Sequence, residues 1–263
     1  MFDFINYSSD QIIVFLLVMI RTSGLFILAP ILGDKGIPKL VKIGLVVMFG
    51  LILSAAIPTP QVNLEIQSTW ELAGLVFNEI LIGVIIGLLF RLIFYGVLTA
   101  GSIVGYQIGF MFAQVFDQNN ATQVSIIGRF WEVAAILFFV SINGHHLLIN
   151  GLAESFQVIP VGAVNAYGSA GEMIIKYSAY IFVIAFKIAS PVIITLYLTD
   201  IALGTIAKTM PTMNVFFVGF PIKIFSGLAV MAMSLPLFMF VIEKSMGYFD
   251  AELSKLLIAI GRA

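Results

Sequence analysis

Residues 101–125 have the sequence GSIVGYQIGFMFAQVFDQNNATQVS, in which three glycines recur at every fourth position before a run of bulky apolar side chains. Gly101, Gly105 and Gly109 therefore lie on one face of a helix, where the missing side chains let another backbone approach closely. Spacing of this kind is typical of tightly packed helices in a membrane protein. It predicts that the helix carrying these glycines packs tightly against another helix.

The same spacing occurs upstream of these three glycines, at Gly83 and Gly87. Between the two sets the sequence is apolar, apart from Arg91. We expect Gly83, Gly87, Gly101 and Gly105 to act as packing positions or hinges. Gly109, which borders the bulky apolar run, is also expected to act as a hinge.

The composition of the chain limits the class of protein in which such packing would occur. Among 263 residues there are 13 Lys and Arg and 14 Asp and Glu, so charged residues are 10%, against roughly 25% in an average soluble domain. Apolar residues make up 60%, and the mean hydropathy is +1.09. This composition excludes a soluble enzyme and a disordered chain. The net charge of -1 argues against nucleic-acid binding. What remains is a polytopic membrane protein, or a subunit that buries its apolar surface in an assembly.

Hydropathy divides the chain into apolar stretches, each close to the roughly 20 residues needed to cross a bilayer. They are residues 11–33, 41–58, 72–100, 124–149, 174–199 and 214–242. The third would be about 42 Å long as a helix, which is more than a membrane requires. A tilted or broken helix would account for this length, as would a helix packed in an assembly outside the hydrocarbon. The fold class predicted is therefore all-α, with about six long apolar helices, some of them broken.

Several charges lie inside these apolar stretches, where each costs about 2.5–3.5 kcal/mol at the bilayer centre. They are Arg21, Glu79, Arg91, Arg129, Glu132, Lys187 and Lys223. We expect them to face protein, water or one another. Arg129 and Glu132 are three residues apart and can pair along one helix face. The alternative is that the charges lie near helix ends and reach the membrane surface.

A short apolar tract and a polar run follow the glycines. The tract contains Phe110, Met111, Phe112, Val115 and Phe116, and the polar run begins at Asp117. Bulky apolar residues beside flexible glycines such as Gly105 and Gly109 can form a movable constriction of a pore. A helix end packed in a core and followed by a polar turn explains the same pattern. The residues alone leave both interpretations open.

The sequence shows no pattern that is typical of a catalytic or metal-binding site. The chain has no cysteine, and His145 and His146 are adjacent, which is a poor spacing for two metal ligands. We therefore predict no catalytic, metal or cofactor site.

The C-terminal residues 247–263 place Phe249, Leu253, Leu256, Leu257 and Ile260 on one helical face. That pattern predicts an amphipathic helix at a membrane surface or against a partner.

Short motifs along nearly the whole chain carry a family resemblance. They are GFMFAQVFD at 109–117, NGHHLLI at 143–149, LYLTDIALGTIAK at 196–208 and PTMNVFFVGFPIKI at 211–224. In this order and spacing, the chain resembles the flagellar biosynthetic FliR family, which comprises export-gate subunits of type III secretion. One departure is Gln118, which follows Asp117 where family members often have proline.

The resemblance implies a non-enzymatic subunit of the flagellar export gate, located in the bacterial inner membrane and the flagellar basal body. It implies FliP-like and FliQ-like partners in a hetero-oligomeric helical assembly, contacts with other membrane proteins of the export apparatus, and unfolded exported proteins in transit. A single domain, 1–263, would comprise apolar helices in 1–100, the glycines and a plug loop in 101–125, further apolar helices in 126–246 and the amphipathic helix in 247–263.

The resemblance also assigns expected roles to individual residues. The segment from about 106 to 122 would plug the closed pore, with Gly109, Phe110, Met111, Phe112, Val115, Phe116 and Asp117 as the plug residues. Arg21, Glu79, Arg91, Arg129, Glu132, Lys187 and Asp200 would be buried polar or intersubunit contacts. Two alternatives remain: an injectisome homologue that secretes virulence proteins, and a secondary transporter for small solutes that uses the intramembrane charges.

Overall fold

The structure is a computed structural model that describes residues 9–34, 36–56, 68–109, 125–163, 168–212 and 214–261. Over these ranges the chain forms helices joined by turns and contains no strand, so the all-α prediction is confirmed. The helices are α1 (Ser9–Leu28), α2 (Lys39–Ala56), α3 (Thr69–Ile108), α4 (Ile126–Ser141), α5 (Gly144–Val158), α6 (Gly168–Thr209), α7 (Val215–Met233) and α8 (Leu235–Gly261).

Two helices are much longer than a bilayer requires. The 40 residues of α3 and the 42 of α6 give lengths of about 60 Å at 1.5 Å per residue, twice the roughly 30 Å of a hydrocarbon core. The third apolar stretch is therefore one long helix and is not broken. Pro191 lies inside α6 without ending it.

The number of membrane-crossing helices is smaller than hydropathy suggested. Within the described ranges, Thr69–Ile108 and Ala170–Thr209 are long and apolar enough to cross a membrane. Two bent pairs, α4 with α5 at 69° and α7 with α8 at 54°, raise the number to four if each pair is one span. The bend after α4 has a local cause, because Asn143 adopts a left-handed conformation with φ of 58°. The fourth apolar stretch, 124–149, is therefore divided between two helices.

The chain divides into two compact units. Unit 1 comprises residues 1–92, 143–178 and 246–263, and unit 2 comprises residues 93–142 and 179–245. The long helices α3, α6 and α8 each contribute to both units. The single-domain assignment made from the sequence stays a prediction.

In unit 1, α1 and α3 approach until their backbones touch. Gly83 lies against the Arg21 carbonyl and Gly24, and a Cβ on Gly87 would lie 2.7 Å from the Leu25 carbonyl oxygen. Gly24 of α1 packs equally closely on α3, since a Cβ there would lie 2.6 Å from the Ile80 carbonyl oxygen. The small residues thus come from both helices. Beside them lie fully buried apolar side chains, including Leu17, Val18, Ile82, Ile86 and Leu89.

The C-terminal end of α8 also belongs to the core of unit 1. Phe249, Leu253, Leu256, Leu257 and Ile260 are all 0% exposed. Leu253 packs on Gly151 of α5, and the ring of Phe249 meets Tyr177 edge-on. The apolar face that the sequence assigned to a membrane surface or a partner is therefore covered by the chain itself, and that interpretation was wrong. Residues 247–261 are also the continuation of α8, not a separate helix.

Unit 2 repeats the close helix approach with the downstream glycines. Gly101 of α3 lies against the backbone of Gly128 in α4, and Gly105 lies against the side chain of Ser125, the N-cap of α4. The Ser125 hydroxyl donates to the Gly101 carbonyl at 3.2 Å. Aromatic contacts complete the packing: Phe94 with Phe139, and Trp131 with Phe238.

Candidate functional site

Most of the predicted intramembrane charges fall into three groups in the structure, and the first is a buried ion pair in unit 1. Arg21 on α1 and Glu79 on α3 are brought together by the glycine contact, with Arg21 Nε 2.5 Å from Glu79 Oε2. A second contact joins Arg21 Nη2 to Glu79 Oε1 at 3.2 Å. The side chains are 0% and 1% exposed. A guanidinium pairs with a carboxylate in this two-point manner because the geometries of the two groups match.

Both side chains of the pair also form hydrogen bonds to the end of α5 and to the turn that follows it. Arg21 Nη1 donates to the carbonyl oxygens of Ser155 at 3.0 Å and Ile159 at 3.1 Å. The Ser155 carbonyl also accepts from the Ile159 amide at 2.9 Å, so the guanidinium adds a second hydrogen bond at the C-terminal end of α5. Glu79 Oε1 accepts from the Gly162 amide at 2.9 Å. The Arg21 guanidinium also lies 4.2 Å from the Phe156 ring centroid. The pair therefore holds the end of α5 and the following turn against α1 and α3, and its burial leaves no access for a substrate.

The second group is a polar cluster in unit 2, where one carboxylate joins three helices. Asp200 on α6 lies 2.5 Å from Lys223 Nζ on α7, and its other oxygen accepts from the Gln107 amide on α3 at 3.2 Å. The Lys223 and Asp200 side chains are 22% and 37% exposed. The sequence singled out Asp200 and Lys223 separately and did not include Gln107.

A cavity of about 430 Å³ lies at this cluster, at the C-terminal end of α3. Besides the three polar residues, Gly109 and Phe220 line it. Gly109 has a φ of 99°, a conformation that glycine adopts readily and other residues rarely do. A Cβ at Gly109 would lie 2.6 Å from Cε1 of Phe220. Any other residue at this position would be strained by the backbone conformation, and its Cβ would also displace the Phe220 ring.

Most of the predicted plug lies outside the described residues. Phe110, Met111, Phe112, Val115, Phe116 and Asp117 are in this group. Gly109 is the one predicted plug residue that the structure describes. The plug role thus stays a prediction.

The third group consists of lysines without an ion pair in the described part of the chain. Lys187 on α6 and Lys244 on α8 line one pocket of about 350 Å³ in unit 2, and both side chains are exposed. Lys187 Nζ lies 5.9 Å from the Tyr180 ring centroid, and Lys244 Nζ lies 5.7 Å from that of Phe240. Exposed cation–π contacts contribute about 0.5–1 kcal/mol each, less than the roughly 2.5–3.5 kcal/mol cost of a lysine at a bilayer centre.

Three further predicted charges, on α3 and α4, lie outside these groups. Arg129 Nη1 donates to Glu132 Oε2 at 2.8 Å on α4, with Arg129 62% and Glu132 11% exposed. Arg91 is half-buried on α3. Ser155, Gln107 and Lys244 could not be predicted from the sequence, because the residues that they meet lie on helices distant along the chain. Only Gln107 carried a signal, as a polar side chain among the glycines.

Long apolar helices, helix contacts through glycine, and charges paired inside apolar helices together define a polytopic membrane protein. Comparison with known proteins narrows this class. Residues 12–248 match the model of the family described as bacterial export proteins, family 1. The chain therefore belongs to this family, and its resemblance to FliR is confirmed.

Individual relatives agree with the family match. The flagellar biosynthetic protein FliR of Bacillus subtilis is 38% identical over 224 residues, which cover 83% of this chain and 85% of that protein. FliR of Pectobacterium carotovorum is 32% identical, with 89% of this chain and 87% of the relative covered. FliR of Aquifex aeolicus is 31% identical, with 88% of each covered.

Proposed function

We propose that this chain is a non-enzymatic subunit of the flagellar protein export gate in the bacterial inner membrane, at the flagellar basal body. The observation that carries the proposal is the family match over residues 12–248, together with relatives named as flagellar biosynthetic proteins over more than four-fifths of the chain. The apolar helices α3 and α6 support the membrane location.

The proposal includes FliP-like and FliQ-like partners that form the channel together with this chain. Its support is the apolar surface that the isolated chain leaves uncovered. Large apolar side chains more than half exposed occur along α6 and α7: Phe182, Phe186, Ile194, Tyr197, Leu198, Ile201, Phe217 and Phe225. Surface of this kind needs lipid or another subunit, since it is far larger than soluble monomers tolerate. Other membrane proteins of the export apparatus and unfolded exported proteins in transit are further expected contacts.

The proposal also assigns the segment from about 106 to 122 as the plug of the closed channel. Its support is the end of α3, where Gly109 leaves the helix in a left-handed conformation beside the Gln107–Asp200–Lys223 cluster. A rigid anchor on three helices followed at once by a glycine suits a segment that must change position. The bulky apolar residues of 110–116 would then close the pore by excluding water.

Affinity purification of the tagged chain from its native membrane tests the proposal. Recovery of FliP-like and FliQ-like proteins, with loss of motility and of flagellar protein export when the gene is deleted, is the expected result. Recovery of virulence-secretion subunits instead would favour the injectisome alternative. A stable monomer or homo-oligomer with no heterologous subunit would favour a solute transporter and overturn the proposal.

A further inference from the structure

Two lysines face one pocket in unit 2, between α6 and the N-terminal half of α8. The pocket, named here the lysine pocket, is lined by Tyr180, Lys187, Ser190, Leu237, Phe240, Val241, Lys244 and Ser245. Phe240 and Leu237 are 57% and 40% exposed, so the pocket opens on an apolar surface of the chain. A charged group surrounded by apolar surface needs a partner of opposite charge once that surface is covered.

The charge of the lysine pocket is not balanced by its own walls. Among the described residues, no ion pair of 4.0 Å or less involves Lys187 or Lys244. The two serines use their hydroxyl protons within their own helices, Ser190 on the Lys187 carbonyl and Ser245 on the Val241 carbonyl. The lysines are therefore the cationic groups that the pocket offers to a ligand, and two ammonium groups in one pocket favour an anion.

The position of Lys187 along α6 decides which kind of anion can reach it. Residues 177–199 contain no other Asp, Glu, Lys or Arg, and Lys187 lies near their middle. At 1.5 Å per residue it is about 15 Å from Tyr177 and about 18 Å from Thr199. If this stretch crosses the membrane, a phospholipid phosphate lies at its ends, farther from Lys187 than a lysine side chain can reach. An acidic side chain on a neighbouring helix can lie at the same depth.

We propose that the lysine pocket receives the carboxylate of an Asp or Glu side chain from an apolar helix of a partner subunit. The two ammonium groups donate to the carboxylate, and assembly buries the resulting cluster. This inference rests on the proposed function, because it requires a hetero-oligomer. It goes further in naming the chemistry of the contact and in adding Lys244 to Lys187.

Carbodiimide cross-linking of the purified complex tests the inference directly, since this reagent joins an amine to a carboxylate only when the two are in contact. Peptide mass spectrometry should show Lys187 or Lys244 joined to an Asp or Glu of a different subunit. The pair Lys223 and Asp200, 2.5 Å apart within the chain, is the internal positive control.

Charge-reversal variants provide the functional readout. Lys187→Glu combined with Lys244→Glu should reduce the recovered partner subunits at least about ten-fold, because the partner carboxylate then meets like charges. Reversing the cross-linked partner residue to lysine should restore recovery. Lys208→Glu is the matched control, since Lys208 is an exposed lysine on the same helix beyond Asp200, and it should leave recovery unchanged.

The outcomes separate the two proposals. Partners that co-purify normally with the doubly reversed variant, while Lys223 and Asp200 cross-link and the lysine pocket does not, would overturn the inference and leave the proposed function standing. Native mass spectra in which the variant loses a bound acidic phospholipid, and not a subunit, would assign the pocket to lipid and also overturn it. If the unaltered chain recovers no partner at all, the proposed function and the inference both fail.

Discussion

Arg21 and Glu79 are 58 residues apart in the sequence and form an ion pair with both side chains essentially inaccessible to solvent. The pair is possible because Gly24 and Gly83 bring the backbones of α1 and α3 into contact one turn away. It ties four segments together, since its hydrogen bonds also reach Ser155 in the last turn of α5, Ile159 just beyond that helix, and the Gly162 amide.

Glu79→Gln should destabilise unit 1 by about 3–5 kcal/mol, because it leaves the Arg21 charge buried without its counter-ion. Replacing both residues together, as Arg21→Met with Glu79→Leu, should cost less than the sum of the two single changes. Thermal unfolding of the detergent-purified chain measures both. Arg129→Gln removes an exposed pair partner and should change stability by no more than about 1 kcal/mol. Equal effects of Glu79→Gln and Arg129→Gln would contradict the prediction.

Gly83→Ala should lower stability by about 1–3 kcal/mol, since its Cβ would strike the Arg21 carbonyl and the backbone at Gly24 and Leu25. Gly74→Ala is the matched control on the same helix. A Cβ at Gly74 would have no other atom within 4 Å, so this change should stabilise by about 0.5–1 kcal/mol through helix propensity alone. Unfolding temperatures that shift in the same direction for both variants would show that close packing at Gly83 is unimportant.

The pair of Asp200 and Lys223 should couple more weakly than Arg21 and Glu79. Its side chains are partly exposed, and such pairs contribute about 0–1 kcal/mol. A double-mutant cycle with Asp200→Asn and Lys223→Gln measures the coupling energy, and exchanging the two residues should retain most of it. Gln107→Ala should reduce the coupling, because Gln107 holds the second carboxylate oxygen. A coupling energy for Asp200 and Lys223 that exceeds the one for Arg21 and Glu79 would contradict the prediction.

Leu257→Ala should cost about 2–5 kcal/mol, because Leu257 is fully buried and truncation leaves a cavity. The neighbouring Ile258, 38% exposed, provides the control, and Ile258→Ala should cost clearly less. Unfolding of the purified chain without any partner is the measurement. If Leu257→Ala affected partner recovery but not the stability of the isolated chain, the C-terminal face would instead be an interface.

Replacing Phe110, Met111 and Phe112 together by serine should increase ion leakage through the assembled channel, because a hydrophobic constriction excludes water only while its side chains are apolar. Electrical conductance of the complex in a planar bilayer measures this. The control replaces the same three residues by leucine, which preserves apolar bulk and should leave the closed state tight. Unchanged conductance in the serine variant would remove the plug assignment.

Local patterns in the sequence anticipated much of the fold. Apolar stretches indicated the helices, and Gly83, Gly87, Gly101 and Gly105 mark positions that lie at helix contacts. The pairing of Arg129 with Glu132 followed from their spacing, because residues three apart share a helix face. Non-local pairing could not be predicted in this way. Nothing in the sequence indicates that Arg21 meets Glu79, or that Lys244 shares a pocket with Lys187.

The sequence by itself determined that this protein is all-helical, apolar enough for a membrane and a member of the bacterial export protein family. Composition, helical periodicity and motif order are properties of the chain and need no folding to be visible. The tertiary structure alone decided that α3 and α6 run unbroken for 40 and 42 residues, and that the amphipathic end of α8 packs inward. An amphipathic face specifies that it must be covered, but which surface covers it depends on helices far away along the chain.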